Sequence, residues 1–153
     1  MTYDDCKKLE VAVLERLARQ HGFDLTLTAD DCVIDGVLAR DGNTYPIEIK
    51  TRPHIEVTED GRWMDEQGRV YDCALFDEHK ILDVKRKAEA MGGDPIVAQY
   101  LPRAGRLYSW NLGTVRYERS AMVESQASMA GGTKNIKRIF LTFDDAKIQE
   151  IRL

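Results

Sequence analysis

The sequence predicts an α/β protein in which a central mixed β-sheet is flanked by helices, in the order α-β-β-β-α-β. Two amphipathic stretches with helical spacing, residues 3–21 and 77–91, bracket a set of short alternating runs. Between the runs 32–40 and 45–50 stands Asp41-Gly42. Asp-Gly is a strong hairpin signal, because a two-residue type I′ turn needs φ > 0 at both central positions. Residues 95–101 form a largely apolar run that fits a buried strand.

The first helix opens on Thr2-x-x-Asp5, a capping box with Asp in place of Glu, and ends at His21-Gly22. Its apolar stripe is Tyr3, Cys6, Leu9, Val13, Leu14 and Leu17. At about 100° per residue Glu10 falls about 60° from Val13, inside the stripe, whereas Glu15 falls about 200° away. An inward carboxylate is expensive unless it is paired or binds a cation; a stripe-edge carboxylate reaching solvent is the ordinary alternative. Residues 23–28 read as a first strand, followed by the strand of Asp35 and the strand of Glu48. Residues 54–72 are polar and turn-rich, a hairpin or flap inserted after the third strand. The second helix ends at Gly92-Gly93. Beyond 101, residues 106–112 and 114–119 read as a hairpin, 125–133 as a mobile loop, 139–143 as a strand and 144–151 as a short closing helix.

The chemistry gathers at Glu48-Ile49-Lys50. If Asp41-Gly42 is a two-residue turn, Asp35 lies directly opposite Glu48 on one face of the sheet. A four-residue turn over 41–44 places Asp35 opposite Lys50, on the same face. Alternation puts Glu48 and Lys50 together and sends Ile47 and Ile49 to the other side. Facing carboxylates destabilise a strand pair unless a cation lies between them. Two carboxylates can hold a hard divalent cation, and a nearby ammonium can steer a water or a phosphate, the equipment of a metal-dependent phosphodiesterase. Carboxylate-x-Lys triplets recur at Asp5, Glu78, Asp83 and Asp145. Those four fall in helical or helix-flanking segments, where residues two apart cannot converge.

The chain has 153 residues, 43% hydrophobic and 31% charged, which reads as one soluble domain with room for a core. No run reaches membrane-spanning length, and the first residues do not have the pattern of a secretory signal. Cys6, Cys32 and Cys73 are odd in number and widely spaced, which argues for a reducing, cytoplasmic setting over a disulfide framework or zinc knuckle. His21, His54 and His79 have no metal-ligand spacing. The net charge of −4 is not that of a general nucleic-acid coat. It is unevenly spread: residues 54–78 carry eight acids against two arginines, and residues 79–138 carry eleven Lys/Arg against five acids. A basic second half is compatible with a phosphate backbone contacted on one side.

A helix with an inward Glu, three strands with Asp on the second and Glu-x-Lys on the third, then a helix and a strand: this order resembles the PD-(D/E)XK nuclease superfamily. The phrase Ile47-Glu48-Ile49-Lys50-Thr51-Arg52 after an Asp-Gly strand is similar to Holliday-junction-resolvase-like and phage-encoded members. The resemblance covers residues 3–101. It implies a restriction-endonuclease-like core over 3–101 within a single domain 1–153, an inserted flap at about 54–76 and a C-terminal extension at 102–153. It further implies an Mg²⁺-dependent deoxyribonuclease, with Mn²⁺ as a substitute, acting on DNA in recombination, repair or phage DNA processing. Asp35 and Glu48 would ligate the metal, Glu10 would complete the acidic cluster, and Lys50 would orient or activate the attacking water. Lys80 and Arg52 would meet DNA, and Lys134, Lys137 and Arg138 would clamp its backbone. Many such proteins are homodimers, since cutting two strands needs two sites. Ile34 stands where the motif has Pro, and the acidic insert lies outside the minimal core. The insert could be a DNA-facing flap, a dimerisation arm or a partner site. The alternative functions are a catalytically silent module that binds DNA or protein on the same fold, and a generic α/β interaction protein.

Overall fold

Helix α1 (Tyr3–His21) begins where Thr2 and Asp5 bond reciprocally: Thr2 N donates to Asp5 Oδ2 at 2.9 Å, and Asp5 N donates to Thr2 Oγ1 at 3.1 Å. It ends at Gly22, whose φ of 70° supplies the left-handed turn that an L side chain adopts only at a cost. In this computed structural model, residues 1–29, 32–116, 118–126 and 133–153 are described, with backbone only for 118–126 and 133–136.

Six strands form the main sheet: β1 (Asp24–Leu27), β2 (Gly36–Arg40), β3 (Asn43–Thr51), β8 (Ile96–Leu101), β9 (Arg106–Asn111) and β12 (Lys147–Glu150), neighbours in that order. Only the β3–β8 pairing within it is parallel, so the chain must cross over between those strands. The crossover carries three short strands, β4 (Glu56–Val57), β5 (Trp63–Met64) and β6 (Val70–Tyr71), then β7 (Cys73–Asp77) and helix α2 (Glu78–Met91). The three short strands make a small antiparallel sheet of their own. A third sheet joins β7 to β11 (Thr133–Thr142), which pairs in turn with β10 (Glu118–Gln126).

Alternation along the strands feeds two cores. Leu38, Ile47, Ile49, Ala98, Tyr100 and Leu107 pack under α1 through Val13, Leu14, Leu17 and Ala18. The opposite face, with Val97, Leu101, Tyr108 and Trp110, is covered by Ile81 and Val84 of α2 and by Phe76, Ile139 and Leu141 of the β7–β11 sheet. The insert is pinned to this second core by Trp63, which is 4% exposed. Its ring stacks on Phe143 at 4.7 Å between centroids and meets Tyr108 edge-on at 5.0 Å. The predicted polar flap is therefore a three-stranded unit anchored by an aromatic side chain.

Three readings of the second half are corrected. The expected 106–112/114–119 hairpin does not form: β9 turns back onto β8 through a tight return, with Ala104 N on Leu101 O at 3.2 Å and Gly105 at φ 62°. Strand β10 pairs with β11 instead. The expected closing helix at 144–151 is a single 3₁₀ turn, Phe143–Asp145, followed by β12 along the free edge of β9. A helix that short is marginal in isolation, and an open sheet edge offers four residues a ladder. Of the expected loop at 125–133, Ser125, Gln126 and Thr133 are in strands, since β10 runs through Gln126 and β11 starts at Thr133. Residues 127–132 lie outside the described residues. Among the described residues no helix is long and apolar enough to cross a membrane.

Candidate active site

The Asp41-Gly42 turn sets the site. Both residues have positive φ, 53° and 81°, and Arg40 pairs with Asn43, the register of a two-residue turn. Gly36 is thereby opposite Ile47, and the Asp35 N–H donates to the Ile47 carbonyl at 2.8 Å. Asp35 stands one residue before β2, where its carboxylate reaches across: Oδ2 accepts from Ile49 N at 2.7 Å. On the other side Gly36 lets β1 come close, because a Cβ there would lie 3.1 Å from the Thr26 carbonyl oxygen and 3.2 Å from Leu25 Cδ1.

Glu48 projects to the α2 side of β3, where Lys80 Nζ lies 3.9 Å from Oε1. Burial and the Asp35 carboxylate push the Glu48 carboxyl up to about 7, against the opposing pull of Lys80 and Lys7. The two acids therefore act on one another across the hairpin. Lys50 reaches solvent, yet the protein around it strips part of its hydration. That loss, followed by the charges of Lys80 and Arg52, draws its ammonium below the ordinary range, with Glu10 and Glu48 opposing.

Glu10 is 6% exposed and points inward from α1. Its Oε2 accepts from Thr51 N at 2.8 Å, at the end of β3. Lys7, one turn earlier on α1, lies 3.6 Å from Glu10 Oε1 and 3.4 Å from Asp35 Oδ1. Partial burial pulls the Lys7 ammonium down, but Asp35 and Glu10 together outweigh it, and its pKa ends above the ordinary value.

Behind Lys50 lies a layer of longer polar side chains. Gln99, fully buried and paired in register with Lys50, accepts from Arg52 Nε at 3.2 Å and donates to the Leu75 carbonyl at 3.2 Å. Arg138 Nε lies 3.6 Å from Asp77 Oδ1, its register partner. A cleft of about 150 Å³ runs between Glu48, Lys50, Lys80, Asp77 and these two arginines.

The architecture has a solved counterpart. The Holliday junction resolvase Hjc from the archaeal hyperthermophile Archaeoglobus fulgidus superposes with a TM-score of 0.51 over 82% of this chain and 84% of that one, at 17% identity. This chain has the restriction-endonuclease-like fold. No protein-family model and no curated sequence matches it.

On this restriction-endonuclease-like sheet, the structure brings Asp35, Glu48, Lys50 and Lys80 to one side of β3, with Arg52 and Arg138 beyond. The three acids do not converge into one ligand group: among the described residues no three carboxylate, imidazole or thiol groups stand where they could share a metal ion. Glu10 is held by Thr51 N and Lys7. The Asp35–Glu48 pair does fit a hard cation, since the Asp35 carboxylate raises the cost of charging Glu48 and a divalent ion needs only one or two carboxylates beside its waters. Lys137 is exposed and adjacent to Arg138 on the strand, so alternation turns it away from the cleft. The side chain of Lys134 lies outside the described residues.

Sequence reasoning missed Lys7, Asp77 and Gln99. Gln99 had a signal: it is the lone amide in the run Ile96-Val97-Ala98-Gln99-Tyr100-Leu101, and a polar group in a buried strand needs partners. Lys7 lies three residues before Glu10, a helical neighbour spacing.

Proposed function

We propose that this chain is a metal-dependent DNA endonuclease that hydrolyses phosphodiester bonds in branched or otherwise structured DNA. The observation that carries the reading is the facing pair Asp35 and Glu48 with Lys50 and Lys80 on the same side of the sheet. The fold shared with a Holliday junction resolvase supports it.

Asp35 and Glu48 would hold the cation, and Glu10 positions the end of β3 through Thr51 N. When bound there, Mg²⁺ or Mn²⁺ supplies Lewis acidity toward the phosphate and makes a nearby water more acidic. Lys50 places positive charge where negative charge grows on the phosphate. Its lowered pKa also makes it a readier proton donor than an ordinary lysine. Lys80, Arg52 and Arg138 give the cleft an excess of positive charge that receives the DNA backbone.

The test uses purified protein on four-way junctions, flaps, linear duplex and single strands, with Mg²⁺, Mn²⁺ or EDTA. Expected is divalent-dependent cutting that Glu48→Gln and Lys50→Ala each reduce by at least 100-fold. Binding to every DNA without cutting in either metal, or cutting that persists in EDTA, overturns the proposal.

A further inference from the structure

Beside the cleft a second cavity of about 190 Å³ opens. The two share one wall, made by Arg52, Leu75, Gln99 and Arg138. The opposite wall comes from the insert and its flank: Ile55, Trp63 and Tyr71. Tyr71 is fixed by its hydroxyl, which donates to Asp65 Oδ2 at 2.7 Å. Trp63 is locked between Phe143 and Tyr108, and its buried indole N–H has no hydrogen-bond partner among the described residues.

The two walls differ in chemistry. One presents two guanidiniums and an amide; the other is apolar and aromatic. Among the described residues no carboxylate lines the cavity; Asp77 lies on the cleft side, beside Arg138 and close enough to act on Arg52. Two cations crowded in a partly desolvated wall favour an anionic group between them, and the charge of Arg138 adds to burial in drawing Arg52 below its ordinary pKa. Aromatic and aliphatic side chains facing that wall favour a planar ring. A space of this size holds about six waters, enough for one ring system and too small for a base pair. In a nuclease, the ligand that joins an anion to a planar ring is a nucleotide.

We infer that this pocket receives one unpaired nucleotide of the strand being cut, its base against Trp63, Tyr71 and Ile55 and its phosphate against Arg52 and Arg138. The inference rests on the nuclease reading above and names its substrate class. A base stacked in a duplex cannot lie in a pocket of this size without leaving its stack, and it leaves most readily where it is already unpaired. Arg52 lies two residues beyond Lys50 and Gln99 is paired with Lys50, so the pocket adjoins the scissile position. The substrate is thus DNA with a single-stranded nucleotide next to the cut, such as the edge of a flap or an open branch point.

The experiment places 2-aminopurine, and separately an abasic residue, at each position around the branch of flap and junction substrates, with wild-type protein in Ca²⁺. Expected is a fluorescence change confined to one position next to the cut, with affinity about tenfold weaker when that nucleotide is abasic. Ile55→Trp, which fills the pocket, abolishes the position-specific signal while its melting temperature reports that it is folded. Abasic substitution in the DNA leaves the protein untouched, so the test holds even if that variant fails to fold. DNA that is bound and cut with no position-specific signal and no abasic penalty overturns the pocket alone. DNA that is neither bound nor cut overturns the nuclease reading with it.

Discussion

Lys7 and Asp35 are joined across the site, Nζ to Oδ1 at 3.4 Å, so an ammonium from the first helix pairs with an acid at the entry to the second strand. The same ammonium reaches Glu10. Lys7 therefore stands where a further cation would otherwise be drawn, and on the proposed reading it would compete with a divalent ion for Asp35. Replacing it with methionine keeps the stem and removes the charge. Lys7→Met is expected to bind Mn²⁺ about three- to tenfold more tightly by calorimetry, with a loss of metal-free stability below about 1 kcal/mol because the lysine is well solvated. Unchanged or weaker Mn²⁺ binding contradicts the competition.

Glu48 makes the metal-free protein sensitive to pH. Its carboxyl ionises near 4.5 in an unfolded chain and near about 7 in the folded one, so between those values the folded state holds the extra proton. Stability is greatest below the lower value and falls as pH rises through the upper one, by about 3 kcal/mol if Glu48 acts alone. In EDTA, urea midpoints should therefore drop between pH 5 and 8, and Glu48→Gln should flatten that drop. A wild-type midpoint that rises across this range is incompatible with the assignment.

Glu10 has a structural task that separates two of its substitutions. Glu10→Ala leaves the Thr51 N–H without its acceptor in a buried place and is expected to lower unfolding free energy by about 2 kcal/mol. Glu10→Gln keeps an acceptor oxygen and should lose less than half as much. Equal losses for the two in denaturant titrations argue against the hydrogen bond.

Arg138 is expected to act on DNA through charge. Arg138→Gln should weaken binding to all DNA sequences alike and reduce the slope of log affinity against log salt by about 1. A change confined to one sequence would mean base contact instead.

Trp63 is the anchor of the insert. Trp63→Ala empties the space between Phe143 and Tyr108 and is expected to cost about 3–5 kcal/mol, with hydrogen exchange rising first in residues 56–71. Protection that stays even across the insert and the main sheet would place the anchor elsewhere.

The hairpin and the helix stripe were legible because each depends on neighbours in sequence. Asp41-Gly42 fixes a turn, the turn fixes parity, and parity puts Asp35 and Glu48 on one side. Glu10 followed from angular spacing on α1. What could not be read depends on partners far apart in the chain. Residues 147–150 look helical next to Asp144-Asp145, yet the open edge of β9, some forty positions earlier, makes them a strand. Residues 102–105 close a turn that a Gly-Thr pair at 113–114 advertises more loudly. The tally of charges near the site had the same limit: Lys7 is an ordinary helix lysine until the fold brings Asp35 within reach.

Strand β7 pairs with β11 along five residues and then runs without a loop into α2. Arg138 rides on the first of these elements' partners and Lys80 on the last, so the two cations that flank the cleft share one rigid support. Gln99 ties that support back to β3 and β8 through Leu75 and Arg52. A substitution that shifts the β7–β11 register would consequently move both cations at once and leave the acids at the start of β2 and on β3 where they are.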